Sequence, residues 1–522
     1  MKRRSLTFLM AISFCSMQAQ PADPAKYAAL ITRADLQQQL TIVSGAEMEG
    51  RETGTEGQRK AADYIRSQFK SFGLTAAPGT DNYLQYYKIG YDSLLQSALS
   101  IGQRSLVSGH DYVDEIALNN NGNNTADEIV FVGYGISDSR YDDYAGKDVK
   151  GKIVVFFNGE PRQDGMYVIS GTKTYSTWTY PGGLAGKAAL AKAKGAAGFI
   201  VINAAMDSIS GNFARFAKKS NMRLIKDQPS SINGFTIPGG MAAALLGDDF
   251  FRTAVEQAKK FMPMNSLSFR KKLPVRYNYE EQKIDGQSSN VAGVLEGTDK
   301  KDEYIILTGH YDHLGTHNGQ IYYGADDDGS GTCTVIEMAK AFAQAKADGN
   351  GPRRSILFMT VSGEEKGLWG SEYFSEHPLV SLDKTSVDLN TDMIGRIDTE
   401  RKLADTLNYV YVIGHNKLSS ELQGINEAAN KASSNITLDY KYDDPADPNR
   451  IYYRSDHYNF ARKGVPILFF YDGMLLADYH KPTDTIDKIN FDVYEKRARM
   501  IFYTAWNMAN RDQMVKRDIP LN

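Results

Sequence analysis

Cysteine is nearly absent: two residues in 522, Cys15 and Cys333. Two thiols cannot build a disulfide scaffold or a thiolate zinc cluster. The chain also lacks an excess of either charge, with 60 Lys and Arg against 63 Asp and Glu. No polyphosphate-seeking surface follows from that balance, so nucleic acid is not an expected partner. Beyond the first residues there is no apolar run long enough to span a membrane, so no integral membrane segment is expected in the body of the chain. Histidine is scarce as well, at eight. A bound metal would have to be held by a few imidazoles and by carboxylates. What is present is the composition of a globular protein, 42% hydrophobic and 24% charged, with enough apolar surface for a large core. The length suits several domains, or one large domain carrying an insertion.

The first nineteen residues read as an address. Lys2, Arg3 and Arg4 precede an apolar stretch from Leu6 to Cys15, and small or polar residues follow through Ala19 and Gln20. That order marks a secretory signal, residues 1–19, with cleavage expected after Ala19. Met17 is a poor residue for the small-side-chain position before the cut, and Phe14 makes Cys15 a poor lipoprotein anchor. The mature chain is expected in the periplasm or outside the cell. Losing the segment leaves 57 basic residues against 63 acidic, a formal charge of -6, and leaves Cys333 alone.

Helical spacing predicts helices over 34–42 and 57–72; in the second, Ala61, Ala62, Ile65, Phe69 and Phe72 share a face. A polar, glycine-bearing loop, 48–55, joins them, and a strand follows at 83–89. Residues 24–93 form the first part of one domain. Residues 94–264 read as an inserted module, with strands at 128–133, 152–157 and 198–202 around an alanine-rich helix at 185–194. Its only histidine is His110, so it is expected to cover substrate or bind a partner rather than do chemistry. The main domain resumes over 265–522. Val275 to Tyr279 and Asn290 to Leu295 look like paired strands, and apolar runs at 304–308, 355–361 and 465–471 look like buried ones. Helices are predicted at 332–345, 419–431 and 491–509. Strands alternating with helices imply an α/β fold: a mixed, largely parallel sheet sandwiched by helices. Ligands bind such sheets beyond the carboxyl ends of the strands.

The reactive residue types collect there. After the run ending at Thr308 comes Gly309-His310-Tyr311-Asp312-His313, and soon after it Asp326-Asp327-Asp328 opens a helix. After Val361 come Glu364 and Glu365; after Ser386 to Leu389 comes Asp392; after the 465–471 run comes His480. Carboxylates packed at the end of a sheet would repel one another, and burial would raise their pKa values. Divalent cations remove that problem. Nitrogen and oxygen donors without thiolates favour zinc, with manganese or cobalt as rivals. Each motif alone is weak; all five in order are a strong signal.

With those five segments the chain resembles the zinc exopeptidases that include bacterial secreted aminopeptidases, glutamate carboxypeptidase and transferrin receptor. The resemblance covers essentially the whole mature chain, and residues 94–264 look like the β-rich protease-associated domain that some members insert. It implies a phosphorylase/hydrolase-like zinc peptidase fold and two zinc ions, with a peptide as substrate. By the same resemblance, Asp327 bridges the metals, His310 and Asp392 complete one site, and Glu365 and His480 complete the other. Glu364 matches the general base that activates a metal-bridging water. Asp312 matches the carboxylate that orients His310 through its second ring nitrogen. A cis peptide often follows the bridging aspartate, here Asp327-Asp328. Tyr452 aligns with a tyrosine that assists the oxyanion, and Tyr479 is a rival for that role; either can instead be packed aromatic wall. His313 and His317 match no ligand position. Arg51 and Glu52 match a loop that either touches substrate or ties the module down.

The activity expected first is removal of N-terminal residues from peptides. A carboxypeptidase or dipeptidase on the same site is the nearest alternative, with Arg396 and Arg454 as candidates for holding a terminal carboxylate. A glutaminyl cyclase would use one zinc, and a receptor-like binding protein would have lost ligands or the base. The sequence sets neither a side-chain preference nor an oligomeric state.

Overall fold

A computed structural model of the chain describes residues 23–171, 176, 178–179, 183–205, 209, 221–225, 232–403 and 405–520. The expected signal segment lies outside these residues. The first part of the main sheet runs in the order Thr437–Asp439, Tyr409–Ile413, Ile467–Tyr471, Thr385–Thr391, Lys300–His310, Arg354–Val361 and Arg270–Leu295. The strands from Ile467–Tyr471 to Arg354–Val361 are mutually parallel, and antiparallel neighbours flank them on both sides. Both faces are covered. Ile305 and Leu307 point into a core with helices Arg33–Val43, Glu56–Ser71, Gly329–Ala347 and Phe491–Asn510, while Ile306 points into a second core with Phe374, Phe460 and Phe469. This is why those runs are continuously apolar: alternate side chains meet different apolar layers.

The sequence expected two paired strands at 275–279 and 290–295. The structure has one strand, Arg270–Leu295, paired antiparallel with Leu84–Ile101 from Val275↔Ile101 to Val291↔Leu84, with a bulge at Glu280/Glu281. The polar stretch between the two apolar runs, with residues 282–285 exposed, reads as a turn. Ladder hydrogen bonds hold it extended regardless of its polarity. The first half of the long strand also pairs with Gly122–Phe131, the edge of a second, mostly parallel array that continues through Ile153–Phe157, Gly198–Asn203 and Gly234–Pro238. That array has its own two apolar cores. The Leu84–Ile101 and Arg270–Leu295 strands thus pass from one body to the other without a break.

The 48–55 loop ties the N-terminal helices to the site. Arg51 is fully buried, and its guanidinium donates to the carbonyls of Val43, Tyr311, Tyr323 and Gly324 at 2.7–2.9 Å. Glu52 pairs with Lys366 at 2.8 Å. Replacing Arg51 by alanine would orphan those buried acceptors, at about 1–3 kcal/mol for each one left dry. Arg51→Ala is therefore expected to lose about 3–5 kcal/mol of stability, read as a drop in the denaturant midpoint; a change below about 1 kcal/mol would show that the loop is not anchored this way.

Candidate metal centre

Five strand-end or loop segments converge on one acidic cluster. His310 is the last residue of the Lys300–His310 strand, Glu364 and Glu365 follow Arg354–Val361, and Asp392 follows Thr385–Thr391. Asp327 precedes the Gly329–Ala347 helix, and His480 lies in the loop after Ile467–Tyr471. Asp327 sits at the centre. Its Oδ1 is 3.3 Å from His310 Nε2, and its Oδ2 is 3.3 Å from His480 Nε2. His310 Nε2 is also 3.6 Å from Asp392 Oδ1, and His480 Nε2 is 2.9 Å from Glu365 Oε2. One carboxylate therefore serves two donor sets, as a bridging ligand must.

The neighbours of Asp327 work differently. Asp328 caps the following helix through Gly331 N at 2.8 Å and also accepts from His310 N and Met393 N. Asp326 accepts from Gly395 N at 2.8 Å, and Asp484 accepts from the amides of Asp326 and Asp327. These carboxylates hold the backbone of the site. The Asp327-Asp328 peptide is cis. Gly331 lets the helix approach the Thr385–Thr391 strand: a Cβ there would lie 2.1 Å from Thr391 O.

Asp312 faces both His310 and Glu364. His310 Nδ1 lies 3.1 Å from the Asp312 backbone carbonyl and 3.7 Å from its carboxylate. The carboxylate also accepts from Thr53 Oγ1 at 2.6 Å and from Glu364 N at 3.2 Å. It fixes the turn that carries Glu364, while the carbonyl and carboxylate of Asp312 both lie on the Nδ1 side of the His310 imidazole.

The two adjacent glutamates are driven apart electrostatically. Burial raises the Glu364 carboxyl well above the ordinary range, and Glu365 and Asp392 add to this against the pull of His310. Burial and Asp327 also push Glu365 upward, but His313 and His480 outweigh them and hold it below its usual value. Burial disfavours a charged Asp327, yet His310 and His480 hold it well below the carboxylate range. His480 is disfavoured as a cation by burial, but Asp327 and Glu365 keep its pKa at about 10. The cluster demands positive charge, which either protons on imidazoles or divalent cations can supply.

The donor chemistry fits a metal. His310 Nε2, Asp327 Oδ2 and Glu365 Oε1 are buried with no hydrogen-bond partner, although each faces other donors within 4 Å. Atoms that crowd together without bonding to one another converge on a common point. Two such groups occur among the described residues, His310 with Glu364 and Asp392, and His313 with Asp327 and Glu365.

His313 is the residue that sequence reasoning left out. It is fully buried, with Nδ1 2.7 Å from Glu365 Oε1 and 3.8 Å from Asp327 Oδ2. Its only sequence signal was its place three residues after His310. His317 remains outside, against Tyr322. Beside the cluster a cavity opens, lined by the carboxylates Asp327, Glu364 and Asp392 together with Met393, Ile451, Phe469, Tyr471, Leu475, Tyr479 and Arg454. Tyr452 is not in that lining: its ring packs edge-on against Tyr453, His457 and Tyr458, and its hydroxyl is buried without a partner. Arg396 is occupied by Asp478 and Asp484, whereas Arg454 reaches the cavity and donates to the Tyr479 hydroxyl at 3.2 Å. Cys333 is buried in the helix Gly329–Ala347.

Residues 290–505, which carry every one of the five segments, match the model of peptidase family M28. This part of the chain is thus similar to peptidase family M28. Residues 113–247 match the PA domain, inside the expected insertion. A "probable zinc metalloprotease" of Pyrenophora teres f. teres is 26% identical over 270 residues, covering 43% of this chain and 52% of that protein. A "probable leucine aminopeptidase" of Arthroderma otae is 27% identical over 227 residues, covering 42% of this chain and 57% of that one. The chain thus spans about half the length of these curated relatives. An aminopeptidase structure from Aneurinibacillus sp. strain AM-1 superposes with a TM-score of 0.54 at 20% identity, covering 95% of this chain and 99% of that one. That likeness shows the same α/β fold.

The opposed electrostatics of Glu364 and Glu365 predict that the two separate on substitution. Glu365→Ala should lower bound metal by about one ion per chain, while Glu364→Gln should leave metal content nearly intact, as measured by elemental analysis. Equal loss from both variants would contradict that division and make Glu364 a ligand with His310 and Asp392.

Proposed function

We propose that the chain is an exported zinc exopeptidase that removes N-terminal residues from peptides, with two metal positions sharing Asp327. The observation that carries this reading is the split of Asp327, each oxygen facing a different histidine, next to a cavity whose polar wall is three carboxylates. His310 and Asp392 would hold one zinc, and Glu365 and His480 the other. Zinc held there would lower the pKa of a bound water toward neutrality and polarise a carbonyl.

The chain's own residues supply the rest. Glu364, raised by its buried setting, takes the proton from the attacking water and returns it to the leaving amine. The backbone bond to Asp312 holds Glu364 in place for both transfers. Tyr479, rather than Tyr452, has its ring on the cavity wall, and its hydroxyl is the donor available to the developing oxyanion. Asp327, Asp392 and Glu364 make that wall favourable to a free α-ammonium group. Ile451, Phe469 and Leu475 add apolar lining, which suits a hydrophobic side chain. Arg454 favours the second reading, a carboxypeptidase, because it is the one guanidinium on the lining.

A digest of a peptide library, read at both termini, separates the two. Loss of N-terminal residues, with N-acetylated peptides left intact, is expected; trimming from the carboxyl end would assign Arg454 the anchor role and overturn the aminopeptidase reading. In the same assay Glu364→Gln should reduce turnover roughly 10²–10⁴-fold. For export, N-terminal sequencing of the protein recovered outside the cytoplasm should start at Gln20, and a chain still beginning at Met1 there would count against the signal.

A further inference from the structure

His313 has no role in the ligand set matched above, yet its position demands one. Its side chain is fully buried, and neither ring nitrogen has a hydrogen-bond partner. A buried imidazole with both nitrogens unsatisfied is costly unless something else satisfies it. Nδ1 lies 2.7 Å from Glu365 Oε1, but that oxygen is unpartnered too. The two atoms are close without being aimed at each other. His310 differs, because its Nδ1 is engaged by the Asp312 carbonyl and only Nε2 faces the cluster.

The separations give the geometry. Zinc bound to nitrogen or oxygen at roughly 2.0–2.2 Å in a tetrahedron sets neighbouring donors about 3.3 Å apart. His313 Nδ1 is 2.7 Å from Glu365 Oε1 and 3.8 Å from Asp327 Oδ2, and His480 Nε2 is 2.9 Å from Glu365 Oε2 and 3.3 Å from the same Asp327 oxygen. These values bracket the tetrahedral edge. The ring is also held where it stands. Gly324, at φ +54°, packs so closely that a Cβ would lie 2.5 Å from His313 Cγ, and the His313 amide donates to Arg51 O at 3.3 Å.

We propose that His313 is a fourth protein donor, closing the metal position of Asp327, Glu365 and His480, while the position of His310, Asp327 and Asp392 keeps an open place beside Glu364. The inference rests on the two-metal reading above and makes its halves unequal. Four protein donors are the pattern of a structural zinc, and three donors with a vacancy are the pattern of a catalytic one. The cavity agrees with that division: Asp392 and Glu364 line it, and His313 and Glu365 do not.

X-ray absorption on the dizinc protein counts imidazoles directly. Three shared between two zinc ions are expected; two would overturn the assignment. Metal-competition titration of His313→Ala and His313→Gln should show one of the two ions weakened by at least about 100-fold, beyond the 10–100-fold typical of an outer partner, with the other changed by only a few-fold. Unchanged affinity at both positions would also overturn it. The absorption measurement uses the unaltered chain, so it decides even if a variant fails to fold. Protein that holds two zinc ions, counts three imidazoles and leaves all peptides intact would overturn the peptidase reading and uphold this one.

Discussion

Negative charge gathered in a dry place is the constraint on which the molecule depends. Asp327, Glu364, Glu365 and Asp392 meet at the ends of buried parallel strands, where water cannot screen them. Every neighbouring feature either supplies positive charge to that cluster or stops the backbone from relaxing away from it. Three histidines, from two segments, face the carboxylates within 4 Å. The main chain around them is fixed by other carboxylates, Asp326, Asp328 and Asp484, which accept amide protons and so stay out of the ligand set. The acidic triplet is thus one ligand flanked by two fasteners. Helix capping by Asp328 couples the site to the Gly329–Ala347 helix, whose buried face is part of the main core.

The glutamate pair shows how environment alone differentiates identical side chains. Glu364 and Glu365 are consecutive, so their side chains diverge. One meets two imidazoles and is held ionised; the other meets chiefly burial and like charge, and its affinity for a proton rises. A ligand and a proton carrier result from one dipeptide. Asp312 supports the second by binding the Glu364 amide.

Much of this was legible in the sequence because it obeys periodicity. Apolar runs at 304–308, 355–361 and 465–471 had to be buried strands, and the rule that parallel sheets bind ligands at their carboxyl ends placed His310, Glu364, Glu365 and Asp392 together. Three features escaped for physical reasons. His313 lies in irregular chain just past the strand, where a two-residue period no longer tells which way a side chain points. The Arg270–Leu295 strand was read as two because its middle is polar on both faces, while ladder hydrogen bonds ignore polarity. Tyr452 and Tyr479 could not be separated from composition, since only tertiary packing sends one ring to the cavity and the other into a cluster of aromatics.

The long strand also explains why an inserted module can be carried without loosening the site. At its far end it pairs with the PA-domain strand Gly122–Phe131. At its near end a polar seam grips the ligand-bearing segments. Ser289 O accepts from the Tyr311 hydroxyl at 2.6 Å and from Ser362 Oγ at 2.8 Å. Asn290 Oδ1 accepts from Ser362 N, and Tyr87, on the partner strand, donates to Ser362 O at 3.0 Å. Tyr311 follows His310, and Ser362 precedes Glu364 by two residues. These hydrogen bonds are buried, so sliding the ribbon would leave several polar groups dry at once. A displacement of the PA domain that pulled this ribbon along its length would therefore meet resistance at the residues beside His310 and Glu364. Rotation about the exposed stretch at 282–285, where packing is least, is the movement the fold leaves easiest.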